Sequence, residues 1–219
     1  MGKYIVYAIA FGCLIACSSC EKLDIEDYIK KNNLSDNTTT GGGSESIKED
    51  GEVQTEGAVD LGLSVKWAAQ NLIFEGFAGS CSEIGDEFNW STNYISSPPQ
   101  EIGGTSFDYA THILGENWQT PSEEQWKELI DNCRLHYTVY EDAIGYVVTG
   151  KTGKAIFIPM ETKSDESSYW SSTSYYDDYS QYARTYLYTL TNSGITQNYE
   201  YNNNYTPKYH IRPVERNAK

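Results

Sequence analysis

The sequence predicts an α+β domain: strands first, then two helices, then more strands. Three observations carry that expectation. Apolar residues alternate with others between Val59 and Trp67, and a β-hairpin pattern occupies 145–159. Two stretches, 106–115 and 118–133, carry helix-start signals ahead of an apolar stripe. Beyond them the chain turns β-like again and rich in tyrosine: of 19 tyrosines, 11 fall between Tyr169 and Tyr209.

In chain order, the first element is not part of the domain. Lys3 is the only charge before Glu21, and 4–16 form an apolar run too short to span a bilayer but shaped like the core of a signal peptide. It ends in Leu14-Ile15-Ala16-Cys17, which resembles a bacterial lipobox. Residues 1–16 are therefore expected to be a lipoprotein signal peptide and Cys17 the acylated mature N-terminus. Cys20 is the weaker alternative, because Cys17 would then stand where a large apolar residue belongs. A lipid-anchored outer-membrane protein of the cell envelope follows from this. Residues 17–56 read as an acidic, Gly- and Ser-containing tether with little surface to bury. Glu21, Asp24, Glu26 and Asp27 resemble an interrupted form of the export signals of surface-exposed Bacteroidota lipoproteins.

The globular part is expected over 57–216. Val59, Leu61, Leu63, Val65 and Trp67 should line the buried face of two short strands turned at Gly62. In 85–91 a further strand should place Phe88 and Trp90 on one side. Ser106 is a candidate cap for the first helix, Asp108 lies in its first turn and Gly115 suits its end; Phe107, Ala110, Ile113 and Leu114 should face the core. The second helix has Thr120 as candidate cap, Pro121 at its first position and Glu123 completing a capping box. Trp126, Leu129, Ile130 and Cys133 form its apolar stripe, and Trp126 is expected to be a core anchor. Strands are then expected near 146–149, 155–158, 169–173, 182–190, 194–201 and 208–214.

Charge narrows the function. With 16 basic and 31 acidic residues, net −15, the chain has no basic face for a phosphate backbone, so no nucleic-acid partner is expected. His112, His136 and His210 lack the spacing of a zinc-hydrolase helix, and no signature pairs Cys81 or Cys133 with a histidine. Catalytic residues and a metal centre are therefore not expected. Asp165, Glu166, Asp177 and Asp178 flank the Tyr169 strand and leave Ca2+ as the one cofactor to consider. The Tyr-rich loop Tyr175, Tyr176, Asp177, Asp178 and Tyr179 is the expected ligand-binding face, since tyrosine offers an apolar ring and a hydroxyl at little entropic cost. Tyr186 and Tyr188 are expected to pack and Trp170 to be core.

Five motifs in order add a family resemblance. They are Val59-Asp-Leu-Gly-Leu-Ser-Val-Lys-Trp67-Ala-Ala, Gly85-Asp-Glu-Phe-Asn-Trp90, Asn117-Trp-Gln-Thr-Pro-Ser122 with Trp126 and Leu129-Ile130, Tyr169-Trp-Ser-Ser-Thr173, and Ile211-Arg-Pro-Val214. Together they resemble the Fibrobacter succinogenes major paralogous domain family, common in lipoproteins of gut Bacteroidota. The resemblance implies a C-type lectin-like fold: two helices packed on curled antiparallel sheets, with long loops on one face. Many members carry a cysteine where this chain has Gln70; here Cys81 and Cys133 could form a disulfide in an exported protein or remain two buried thiols. The late cysteines of the related formylglycine-generating enzymes are missing, as are the sugar-binding motifs of calcium-dependent lectins. The resulting expectation is a non-catalytic, membrane-anchored module binding a glycan or an envelope or host protein. A structural subunit of a surface assembly is the alternative, and an enzyme of unread class the third reading.

Overall fold

The computed structural model describes residues 50–176, 182–202 and 207–216. Cys17, the signal segment, most of the tether and the loop residues Asp177, Asp178 and Tyr179 lie outside them.

The fold is α+β with mostly antiparallel sheets. Five short strands open it: β1 (Glu52–Val53), β2 (Ala58–Val59), β3 (Lys66–Ala68), β4 (Leu72–Ile73) and β5 (Gly76–Phe77). Helix α1 (Tyr109–Leu114), strand β6 (Trp118–Gln119) and helix α2 (Glu123–Asn132) follow. The longer strands are β7 (Arg134–Tyr140), β8 (Ala143–Thr149), β9 (Lys154–Pro159), β10 (Glu166–Tyr175), β11 (Arg184–Thr191) and β12 (Gly194–Tyr201), before the short β13 (Val214–Glu215). They assemble as β1-β9-β8-β7, β10-β11-β12, β2-β3-β13-β6 and the pair β4-β5.

Side-chain alternation builds the core. In β8 and β9, Tyr146, Val148, Ile156 and Ile158 join the main cluster, whereas Val147, Ala155 and Phe157 form a small cluster on the opposite face. Val59, Leu61, Val65 and Trp67 enter the main cluster as their alternation predicts. Trp126 of α2 lies at its centre: its ring packs edge-on against Trp67 at 4.9 Å and stacks on Tyr188 at 5.0 Å. Phe88, Trp90, Trp170 and Ala110 belong to a second cluster, with Phe107, Ile113 and Leu114 packed against it. Gly145 runs so close beneath β9 that a Cβ there would sit 2.2 Å from the Ile158 carbonyl oxygen.

Several boundaries differ from the sequence expectation. The tether ends before Glu52, because Glu52 and Val53 pair in parallel with Lys154 and Ala155. In α2, Ser122 is the N-cap rather than Thr120, and Gln125 rather than Glu123 completes the capping box. In α1, Asp108 caps rather than Ser106, its carboxylate accepting from Ala110 N at 3.0 Å. The expected strand at 85–91 shrinks to a single bridge, Phe88 with Tyr209, although Phe88 and Trp90 are both buried as expected. Strand β7 was not expected at all.

Candidate functional site

The sheet β10-β11-β12 has one face divided between two fates. Register places Arg184, Tyr186, Tyr188 and Leu190 of β11 opposite Tyr201, Tyr199, Gln197 and Ile195 of β12, and residues directly opposite share a face. Helix α2 covers one half: Tyr188 stacks on Trp126, and its hydroxyl donates to the Glu123 carbonyl at 3.0 Å. The other half is solvent-exposed. Tyr175, Tyr199 and Tyr201 are 49%, 46% and 38% exposed. The Arg184 guanidinium lies 4.8 Å from the centre of the Tyr199 ring, a cation–π contact that stiffens the shelf.

Where the covered half meets the exposed half, a cleft of about 550 Å³ opens. Tyr175 and Tyr186 form its aromatic side; Gln100, Glu101, Gln119 and the α2 start from Ser122 to Gln125 form its polar side. The polar side is held in place by its own hydrogen bonds. Glu101 accepts from Gly103 N at 2.9 Å and from the Thr173 hydroxyl at 2.8 Å. The Glu123 carboxylate accepts from Gln197 at 2.8 Å and pairs with Lys127. The capping box fixes Ser122 and Gln125. Burial raises the Tyr186 hydroxyl above the usual tyrosine value, and Glu123 adds to the rise while Arg184 and Lys127 oppose it. The cleft therefore presents a neutral phenol and several oriented acceptors. None of the three histidines lines it, and the carboxylates of Glu101 and Glu123 are engaged as acceptors.

Of the expected ligand-binding residues, Tyr175 lines the cleft and Tyr176, 52% exposed, follows it in the chain; Asp177, Asp178 and Tyr179 lie outside the described residues. Tyr186, expected to pack, is instead a cleft residue. Sequence alternation already put Tyr186 and Tyr188 on one face; what it lacked was where α2 stops covering that face. Tyr188 and Trp170 are core, as expected.

The two cysteines are free thiols and do not form a disulfide. Cys133 ends α2, directly ahead of β7, whereas Cys81 lies within electrostatic reach of Tyr140 and Glu141 at the strand's far end. Seven extended residues separate those ends by roughly 20 Å, far beyond the reach of a disulfide. Burial pushes the Cys133 thiol up to about 11 and raises Cys81 as well, so both are held protonated and inert at neutral pH. Of the acids considered for Ca2+, Asp165 and Glu166 are exposed and Asp177 and Asp178 lie outside the described residues. Among the described residues, the one group of side chains spaced to hold a metal ion is a different set: Glu87, Glu161 and His210.

Among the described residues, no helix is long and apolar enough to cross a membrane. No family model, no curated protein and no solved structure matches the chain.

Proposed function

We propose that this chain is a lipid-anchored, non-catalytic binding module of the cell envelope, and that the cleft between the tyrosine shelf and the start of α2 takes a glycan. The observation that carries the reading is the pairing of exposed aromatic faces with oriented amide and carboxylate acceptors in one concave site. Sugar rings offer apolar C–H faces for the tyrosines and hydroxyl donors for Gln100, Glu101, Gln119 and Glu123. The resemblance to the Fibrobacter succinogenes major paralogous domain family, and through it to C-type lectin-like folds, fits a loop-bearing recognition surface of this kind. A glycan array probed with the full-length chain tests it. Saturable binding is expected, weakened at least about tenfold by Tyr175→Ala or Tyr186→Ala. Silence on the array, or binding indifferent to both substitutions, removes the glycan from this cleft.

A second reading makes the shelf a protein interface of a surface assembly. It is favoured by the cluster of Arg184 over the edge-to-face rings of Tyr199 and Tyr201, residue types that dominate protein hot spots. Co-purification of a partner that Tyr199→Ala abolishes, with the array silent, would select it. Anchoring through Cys17 is read from the lipobox-like segment alone. Metabolic labelling with palmitate should be lost in Cys17→Ser, and persistent labelling would place the anchor elsewhere.

A further inference from the structure

We propose that Glu87, Glu161 and His210 form a site for a divalent transition-metal ion, beside Tyr169 of β10, whereas the tyrosine cleft lies further along that strand at Thr173–Tyr175 and shares none of the three residues. The fold gathers the three from distant parts of the chain. The antiparallel bridge between Phe88 and Tyr209 sets residue 87 beside residue 210, and Glu161 lies two residues past the end of β9 with its backbone N–H donating to Ser167 at 2.7 Å. One ligand atom from each lies within 4.8 Å of the other two.

The histidine says what the cluster lacks. His210 is 3% exposed, and its ring is packed 5.6 Å from the Tyr169 ring. Its Nδ1 lies 3.2 Å from the Asp86 carbonyl oxygen, which can only accept, so Nδ1 carries a proton. The other ring nitrogen, Nε2, faces the cluster. The polar atom it faces there is Glu161 Oε1 at 3.5 Å, another acceptor and beyond good hydrogen-bonding distance. Three side chains that offer acceptor atoms to one another are thus held within reach of one ion, which would satisfy all of them at once. A ligating histidine whose other nitrogen donates to a backbone carbonyl is the usual outer-shell arrangement of metal sites.

The donor set selects the ion class. One imidazole and two carboxylates suit Zn2+ or a neighbouring first-row ion, whereas Ca2+ takes six to eight oxygens and rarely an imidazole. Metal–ligand bonds of about 2.0–2.2 Å require the three atoms to draw closer than their present spacing. Glu87 is exposed and free to swing in, while His210 is fixed. Three protein ligands leave a coordination position open, and Glu161 also lines a cleft of about 490 Å³ with Glu141 and Asp142 through which an exchangeable ligand could reach it.

The test uses the purified full-length chain without a histidine tag, stripped with a chelator and titrated with ZnCl2 by calorimetry. One Zn2+ per chain is expected. Glu87→Gln and Glu161→Gln should each weaken binding at least about tenfold. Glu87→Gln alters an exposed side chain, so its urea midpoint without metal should match the parent and exclude misfolding as the cause. No zinc bound, or zinc bound equally by both variants, overturns the site. Ca2+ binding in preference to Zn2+ overturns the ion class.

Discussion

At the scale of single residues, Asp108 joins parts of the chain that its sequence position does not hint at. Its buried carboxylate accepts from Gly104 N, Ala110 N, Thr120 N and the hydroxyls of Thr111 and Thr120, at distances from 2.6 to 3.1 Å. One side chain thus caps α1, closes the turn at Gly104 and fixes the approach to α2. Five donors converge on it, so the group must be an acceptor at both oxygens. Asp108→Asn would turn an amide N–H₂ toward some of those donors and should cost about 3 kcal/mol, read as a lower urea midpoint. A loss below about 1 kcal/mol would show that the network tolerates the amide. The same carboxylate explains why the two helix caps were misread. Thr120-Pro-Ser-Glu-Glu-Gln contains two overlapping capping boxes, Thr120 with Glu123 and Ser122 with Gln125. The structure takes the second: Asp108 holds both the backbone N–H and the hydroxyl of Thr120, and Ser122 accepts from Gln125 N at the start of α2.

At the scale of elements, what the sequence made legible is what one-sided burial encodes. The alternation from Val59 to Trp67 and the α2 stripe separate buried from exposed positions, so period finds them; the β8–β9 hairpin, buried on both faces, is found instead from two short apolar runs around Lys-Thr-Gly. Strand β7 escapes for the opposite reason. It is the edge of its sheet, and all seven of its residues are half-buried, so Arg-Leu-His-Tyr-Thr-Val-Tyr shows no contrast between faces. Glu141 and Asp142 then take positive φ values of 47° and 63°, the backbone a two-residue hairpin turn needs but without the usual glycine or asparagine signal. Strand β1 is two residues long and gains its place only by pairing with β9, some hundred residues away. The candidate cleft was half legible. Tyr175 is marked by composition, but Tyr186 and Tyr188 are indistinguishable until α2, packed through Trp126, covers one and not the other. The triad of Glu87, Glu161 and His210 has no local pattern at all, because only strand pairing brings its members together.

At the scale of the whole molecule, the unusual number of tyrosines makes stability depend on pH in the alkaline range. Tyr169 is completely buried; its hydroxyl donates to the Pro159 carbonyl at 2.6 Å and accepts from Asn71 at 2.9 Å. Burial pushes its pKa up to about 12. Tyr146, Tyr188 and Tyr209 are raised as well, with burial the first cause in each and the bond to Glu200 adding to Tyr209. A folded-state value above the unfolded one, near 10, means that the folded chain holds its protons longer. The stabilisation is fully present below about pH 10 and is lost as pH rises toward 12, because the unfolded chain releases protons first. Each pH unit over which the two states differ by one proton is worth about 1.4 kcal/mol. Arg212 works in the opposite direction. It is buried without a carboxylate, bonded to the Ala68 and Phe157 carbonyls, and burial lowers it to about 10, so its charge costs less folding free energy as it titrates. With Tyr140 and Tyr186 also raised, six tyrosines against one arginine leave a net fall. Urea midpoints measured from pH 8 to pH 11.5 should begin to fall near pH 9, where the unfolded chain first ionises Cys133 and Cys81, and drop more steeply above about pH 10 as the tyrosines follow. Tyr169→Phe should lower the midpoint at neutral pH, through the lost hydrogen bonds, yet flatten the alkaline drop. An alkaline slope equal to that of the parent chain would show that Tyr169 is not among the groups responsible.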